Sequence, residues 1–283
     1  MSFDPNAHRV ASLAGWEEAA AGWVRRQESI RALGAPVSSW MLGAVALRPG
    51  ERVLELAAGL GETGMLAAEL VAPTGGVIIS DQADSMLEGA RARAGEMGLS
   101  NVEFQVLGAE WIDLPLASVD VVLCRWGYML LADPLAALLE TRRVLRPGGR
   151  LALAVWDSIE HNPWALLPRL ELLERGLADA PPPGTPGPFA LGDIGRVREL
   201  LEQAGFTGID VQALAIENRH PSFEVFWETT LDISRAFHDA VLARPAAEIA
   251  EIRSGLASRL ARYEAADGAL AIPARTLVAS ASA

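Results

Sequence analysis

From Glu51 to Trp156 the chain alternates short apolar runs with stretches in which apolar residues recur at helical spacing. That is the pattern of βαβ units around a parallel sheet buried on both faces. Five runs read as strands: Arg52 to Leu56, Val77 to Ser80, Val102 to Leu107, Val119 to Cys124 and Arg150 to Trp156. Each is rich in Val, Ile or Leu and bounded by Gly, Asp or Pro. The clearest helix starts at Asp133, an N-cap, with Pro134 in its first turn. It carries Leu135, Leu138, Leu139, Arg142 and Leu145 at helical spacing until Pro147, Gly148 and Gly149 stop it.

Outside this core the pattern is looser. Residues 8–31 and 36–46 read as helices parted by Gly34 and Pro36, and the Pro- and Gly-rich stretch 180–188 reads as a loop or hinge. Residues 195–204 read as a helix ending at Gly205, Gly208 to Ile216 as a sixth strand, Phe223 to Leu242 and Ala246 to Tyr263 as helices, and Arg275 to Ala281 as a last strand. A chain that leaves a sheet for helices and returns predicts a single domain over 1–283. Its core takes residues 35–157, 195–216 and 271–283, and a helical cap takes 1–34, 158–190 and 217–270.

Composition narrows the partners. Among 283 residues, 51% are hydrophobic, yet no apolar run approaches the roughly 18 residues of a membrane span, and the first residues lack the features of an export or transit signal. The expectation is a soluble, cytoplasmic protein that works off the membrane. A net charge of −12, with Arg residues scattered along the chain, disfavours nucleic acid as a partner. The lone Cys124 has no internal disulfide partner, and the four histidines lack metal-ligand spacing, so no metal is expected. A small-molecule substrate is the expected partner; nothing in the pattern sets an oligomeric state.

The chemistry concentrates in VLELAAGLGETG, residues 53–64, where Gly59, Gly61 and Gly64 follow a strand and open a helix. Such glycines let the backbone turn sharply and approach a ligand. Asp81 ends the next strand, placed to accept hydrogen bonds from both hydroxyls of a ribose. These residues suit either a nicotinamide dinucleotide or S-adenosylmethionine. Glu55, just ahead of the glycines, suits a cationic cofactor better than a pyrophosphate; its plain structural role is to pair with an Arg or a backbone amide.

Five segments in order, VLELAAGLGETG, VIISDQADSMLEGARARA, VLGAEWIDLP, VDVVLCRWGYML and RRVLRPGGRLALAVW, resemble the class I S-adenosylmethionine-dependent methyltransferases, in particular the branch containing the ubiquinone and menaquinone biosynthesis enzymes. The resemblance is clearest over residues 51–157. It implies a doubly wound α/β fold with a seven-stranded, mostly parallel sheet and a helical cap, and S-adenosyl-L-methionine as cofactor. It also implies a cofactor site. Glu55, Ala57, Gly59, Leu60 and Gly61 come from the first turn and Asp81, Gln82 and Met86 from the second, with Gly108, Ala109 and Glu110 beside the adenine and Arg125 and Trp126 after the fourth strand. Gly108 stands where the family commonly has Asp, so the adenine amino group needs Glu110 or Gln82 instead. WEEAAAGW resembles the branch's opening helix, and its Trp16, Ala19, Ala20 and Trp23 share one face that packs on the core or covers the cofactor. The run HNPW at 161–164 also matches the branch.

The activity so implied is methyl transfer to a small, apolar or neutral acceptor, with eight Trp residues available for a dry pocket. If the acceptor must lose a proton, His161, His220 and Tyr128 are the candidate bases, each with an ordinary structural role as the alternative. Cys124 reads as a small buried strand residue. Two other functions share the same motifs: an NAD(P)-dependent oxidoreductase, and a protein that binds S-adenosylmethionine without transferring its methyl group.

Overall fold

A computed structural model describes residues 3–179, 182 and 184–283. Seven strands form one sheet in the order β3-β2-β1-β4-β5-β7-β6. They are β1 Arg52–Glu55, β2 Gly76–Asp81, β3 Val102–Val106, β4 Val119–Arg125, β5 Leu145–Trp156, β6 Thr207–His220 and β7 Leu270–Ser282. The first five pair in parallel, and β7 runs antiparallel between β5 and β6. The seven-stranded, mostly parallel α/β sheet read from the sequence is therefore present. Helices cover both faces: α1 Pro5–Arg25, α2 Gln27–Val45, α3 Glu62–Val71, α4 Asp84–Glu96, α5 Pro134–Val144, α6 Pro163–Glu174, α7 Ile194–Gln203, α8 Phe223–Ile233, α9 Arg235–Leu242 and α10 Ala246–Leu260.

Neighbouring strand residues divide between the faces because side chains alternate along a strand. Val53, aligned with Val77 and Val121, packs with Met41 of α2, Met65 of α3 and Leu87 of α4. Leu54, aligned with Ile78 and Val122, packs on the other face with Ala137 of α5 and Val197 of α7. A third apolar cluster is separate from the sheet's two layers. It joins Leu167, Phe226, Trp227, Phe237 and Ile252, from α6 and α8 to α10, to Ile272 of β7.

Several element limits differ from the sequence reading, each for a local reason. The break between α1 and α2 falls at Arg26, and Gly34 and Pro36 lie inside α2. Arg26 reaches away to Asp232 and Glu228, an attraction invisible in a local window. The stretch from Phe223 to Leu242 is two helices, parted at Ser234, whose hydroxyl caps α9 by accepting from Phe237 N–H. α10 ends at Leu260 before a single 3₁₀ turn. Leu145 begins β5 instead of closing α5, and Leu139 is exposed. β6 and β7 are longer than predicted because polar residues 217–220 continue to pair, His220 with Leu270. Of the Pro-rich loop, residues 180, 181 and 183 lie outside the described residues; 182 and 184–188 carry no helix or strand. Among the described residues no helix is long and apolar enough to cross a membrane.

Candidate functional site

A cleft open to solvent lies at the carboxyl ends of β1, β2 and β4. This is where an α/β sheet leaves room for a ligand. Its floor is the turn after β1, with Ala57, Ala58 and Gly59, where Ala57 and Gly59 hold φ of 49° and 55°. Asp81, Gln82 and Met86 line one side, and Leu107 and Ala109 the next. Arg125, Trp126, Gly127, Leu130 and Leu131 line the other. Trp126 also sits at positive φ, 64°, an unfavourable conformation for so large a side chain. Its indole N–H donates to Thr276 Oγ1 at 3.1 Å, and its ring stacks on Trp156 with centroids 4.3 Å apart.

Asp81 braces the turn after β1. Its Oδ2 accepts from Gly59 N–H at 2.8 Å and its Oδ1 from Ala83 N–H at 3.0 Å. Burial raises its pKa, and backbone donors from Ala83, Gly59 and Gln82 oppose the shift. A carboxylate oxygen has capacity for more than one donor, so sugar hydroxyls can add to this set. Gln82 also faces the cleft, its Nε2 donating to Ser12 Oγ at 3.2 Å.

α1 closes the cleft from above through Ser12, Trp16 and Trp23. Trp16, Ala19, Ala20 and Trp23 do share a face, packed with Leu60, Ala83 and Met86. The two Trp residues thus both pack in this cluster and line the cleft. Glu17 fastens α1 by accepting from Asp84 N–H and Ser85 N–H at 2.9 and 3.2 Å. The cleft takes Ile30 from α2 but, among the described residues, no lining residue from 158–190 or 217–270, the larger part of the predicted cap.

Of the predicted cofactor residues, Ala57, Gly59, Asp81, Gln82, Met86, Ala109, Arg125 and Trp126 come together here; Glu55, Leu60, Gly61, Gly108 and Glu110 do not line the cleft. Leu60 turns into the cluster under α1. Gly61 caps α3 at φ 77°, and a Cβ there would press on Ile79, Met65 and Ala90. Glu110 is committed to Arg9 and to the Asp133 N–H. Of Gln82 and Glu110, only Gln82 lines the cleft. Glu55, 2% exposed, accepts from Gly64 N–H at 2.9 Å, and desolvation pushes its pKa up to about 8. The plain structural reading of Glu55 is the one realised.

Sequence reasoning missed Glu62. It lines the cleft, only 7% exposed, and its Oε2 accepts from Arg125 Nη2 at 2.9 Å. Arg125 also donates through Nε to Thr63 Oγ1 and lies over the Trp126 ring. Gly34 makes this possible, because a Cβ at that point of α2 would collide with the guanidinium. The available signal was an acid placed directly after a helix-opening glycine.

None of the three candidate bases reaches the cleft. Tyr128 is fully buried, shares a 2.6 Å hydrogen bond with Thr141 Oγ1, and burial holds its pKa well above the usual value. His220 stands edge-on to Phe226 in the helical cluster, its pKa pushed down to about 4 by burial. His161 lies between Ser158 and Arg275 beyond β5. Cys124 is buried and its thiol pushed up to about 12, as a strand-core residue should be.

The family described as "Methyltransferase domain" matches residues 47–173. A ubiquinone/menaquinone biosynthesis C-methyltransferase, UbiE, of Ectopseudomonas mendocina is 41% identical over 106 residues, which is 37% of this chain and 41% of that protein. UbiE of Shewanella frigidimarina is 34% identical over 118 residues, 41% of this chain and 47% of that one. The chain thus spans less than half the length of these curated relatives. In structure it is similar to the YcgJ protein of Bacillus subtilis, with TM-score 0.57 at 19% identity over 87% of this chain and 97% of that one.

Proposed function

We propose that the chain, whose residues 47–173 match a methyltransferase-domain family and are similar to UbiE, is a class I S-adenosylmethionine-dependent methyltransferase of the UbiE-like branch that methylates a small, apolar or neutral acceptor. The observation that carries this reading is the cleft itself. A buried carboxylate, Asp81, braces the tight turn at Gly59 and keeps capacity for a ribose, while Glu62, Arg125 and Trp23, which also line the cleft, each carry an unpaired polar atom. These residues fit S-adenosylmethionine: Asp81 for the sugar, Gln82 and Ala109 for the base, and the Glu62 wall for the amino acid.

When bound, that cofactor supplies a methyl group activated by a sulfonium. The protein's own work is to place and dry. Trp126, Leu130, Leu131 and Ile30 present apolar surface to the cleft, which favours a step in which charge is dispersed. Fixing the acceptor in line is worth as much as about 7 to 11 kcal/mol. With Tyr128, His161 and His220 all away from the cleft, this mechanism assigns no proton transfer to a protein base. The α1 helix is the cap over the ligand, and α6 with α8 to α10 supports it from the side.

Calorimetric titration with S-adenosylmethionine, S-adenosylhomocysteine and NAD tests the premise. The first two bind and NAD does not; binding of NAD alone would give the site to an oxidoreductase. Asp81→Asn should weaken S-adenosylhomocysteine about tenfold or more. Transfer of labelled methyl groups to a metabolite extract then separates an enzyme from a protein that binds the cofactor without consuming it.

A further inference from the structure

Three residues lining the cleft each bury a polar atom that has no hydrogen-bond partner: Glu62 Oε1, Arg125 Nη1 and Trp23 Nε1. Buried polar groups are almost always paired, because leaving one unpaired costs about 1 to 3 kcal/mol. Here one acceptor and two donors without partners belong to three residues, from three different elements, that line one cavity. The Glu62 and Arg125 side chains are 7% and 8% exposed. Their mutual bond uses only one oxygen of the carboxylate and one nitrogen of the guanidinium's terminal pair.

The geometry points to Glu62 and Trp23 as the residues that read the two charges of the cofactor's amino-acid end, Glu62 Oε1 taking the ammonium and the Trp23 indole N–H the carboxylate, with Arg125 holding Glu62 in place. The inference rests on the proposed cofactor and moves to Glu62 the cationic contact expected of Glu55. Glu55 is unsuited to it, since it is committed to Gly64 N–H behind the turn and does not line the cleft. Charge arrangement supports the assignment. The Glu62–Arg125 pair is neutral as a whole, and so is a zwitterion. Set against one another, the ammonium lies by the carboxylate of Glu62 and the ligand's carboxylate lies toward Arg125, so each charge has an opposite neighbour. A ligand bearing only the ammonium would leave the guanidinium and the indole N–H unanswered.

The test compares dissociation constants of the whole protein for three ligands sharing one nucleoside. They are S-adenosylhomocysteine, its decarboxylated analogue, and 5′-methylthioadenosine, which lacks both charged groups. The parent should rank them in that order. Glu62→Gln should weaken S-adenosylhomocysteine about 10- to 100-fold and leave methylthioadenosine unchanged. Trp23→Phe, which keeps an aromatic side chain but loses the N–H together with the five-membered ring of the indole, should weaken S-adenosylhomocysteine about tenfold and leave the decarboxylated analogue, which controls for the lost packing, unchanged. It decides the matter alone if Glu62→Gln fails to fold. Parent-like binding of S-adenosylhomocysteine by the variants, or equal loss of all three ligands, overturns the assignment. Failure of the parent to bind any of the three removes the cofactor reading and this inference together, a result distinct from binding without discrimination.

Discussion

Glu171 on α6 and Glu62 at the start of α3 are acids of similar burial, 3% and 7% exposed, yet they are treated in opposite ways. Both oxygens of Glu171 are satisfied, one by Arg175 Nε and one by Arg259 Nε, each at 2.7 Å. Glu62 has one oxygen bonded and the other bare. The helical module closes its charges on themselves and so gains position; the cleft leaves its charges open and so gains a capacity to bind. Of these two buried acids, only the one with an unpaired oxygen lines the cleft.

Removing a closed charge should give the largest effect. Glu171→Ala leaves Arg175 and Arg259 without their shared partner and is expected to cost about 3 to 5 kcal/mol in denaturant unfolding, with S-adenosylhomocysteine affinity unchanged. A loss of affinity equal to the loss of stability would dissolve the contrast between the regions.

Glu55, behind the cleft, sharpens it next. Its pKa rises from 4.5 to about 8 on folding, so between those values the folded state keeps a proton that the unfolded state has released. Its contribution to stability is present below pH 4.5 and is lost as pH rises toward 8. Glu55→Gln, which has no such proton to lose, should gain on the parent as pH rises, by on the order of 3 kcal/mol near pH 8. A constant difference between the two proteins from pH 5 to 8 would show Glu55 to be charged in the native state.

His220 behaves in the opposite sense. Its pKa falls from 6.5 to about 4, so the unfolded state binds the extra proton in that window, and stability is lost as pH drops through it. His220→Phe should flatten this loss, which is on the order of 2 to 3 kcal/mol between pH 6.5 and 4, in thermal melts over that range. An unaltered acid limb would place the titration elsewhere.

Tyr128→Phe should have the smallest effect, about 1 kcal/mol for the lost bond to Thr141, and leave methyl transfer intact. A collapse of turnover without loss of stability would return Tyr128 to the list of bases.

The sheet was legible because parallel strands buried on both faces must be continuously apolar, and Val53, Ile78, Val121 and Leu151 announce themselves. Asp81 and Gly59 were legible because a strand, a glycine turn and a spaced acid have few other uses. What stayed hidden depends on distant partners. Arg26 ends α1 for the sake of Asp232, and Gly34 is in α2 for the guanidinium of Arg125. The assignment of an ammonium partner to Glu55 instead of Glu62 turned on side-chain direction. Both acids flank the glycines, and only the fold shows which one faces inward. The break at Ser234 was in principle readable, as Ser at a helix entrance is a common cap.

The joint between α1 and α8 reaches further than its position suggests. Arg25 and Arg26 both clasp Asp232, at 2.5 and 2.6 Å, and Gly22 lets the two backbones meet at that residue. The insert between β6 and β7 thereby acts as a strut for the roof that carries Trp16 and Trp23. A lesion at Asp232, which touches no ligand, would tilt that roof and be registered in the chamber beneath it.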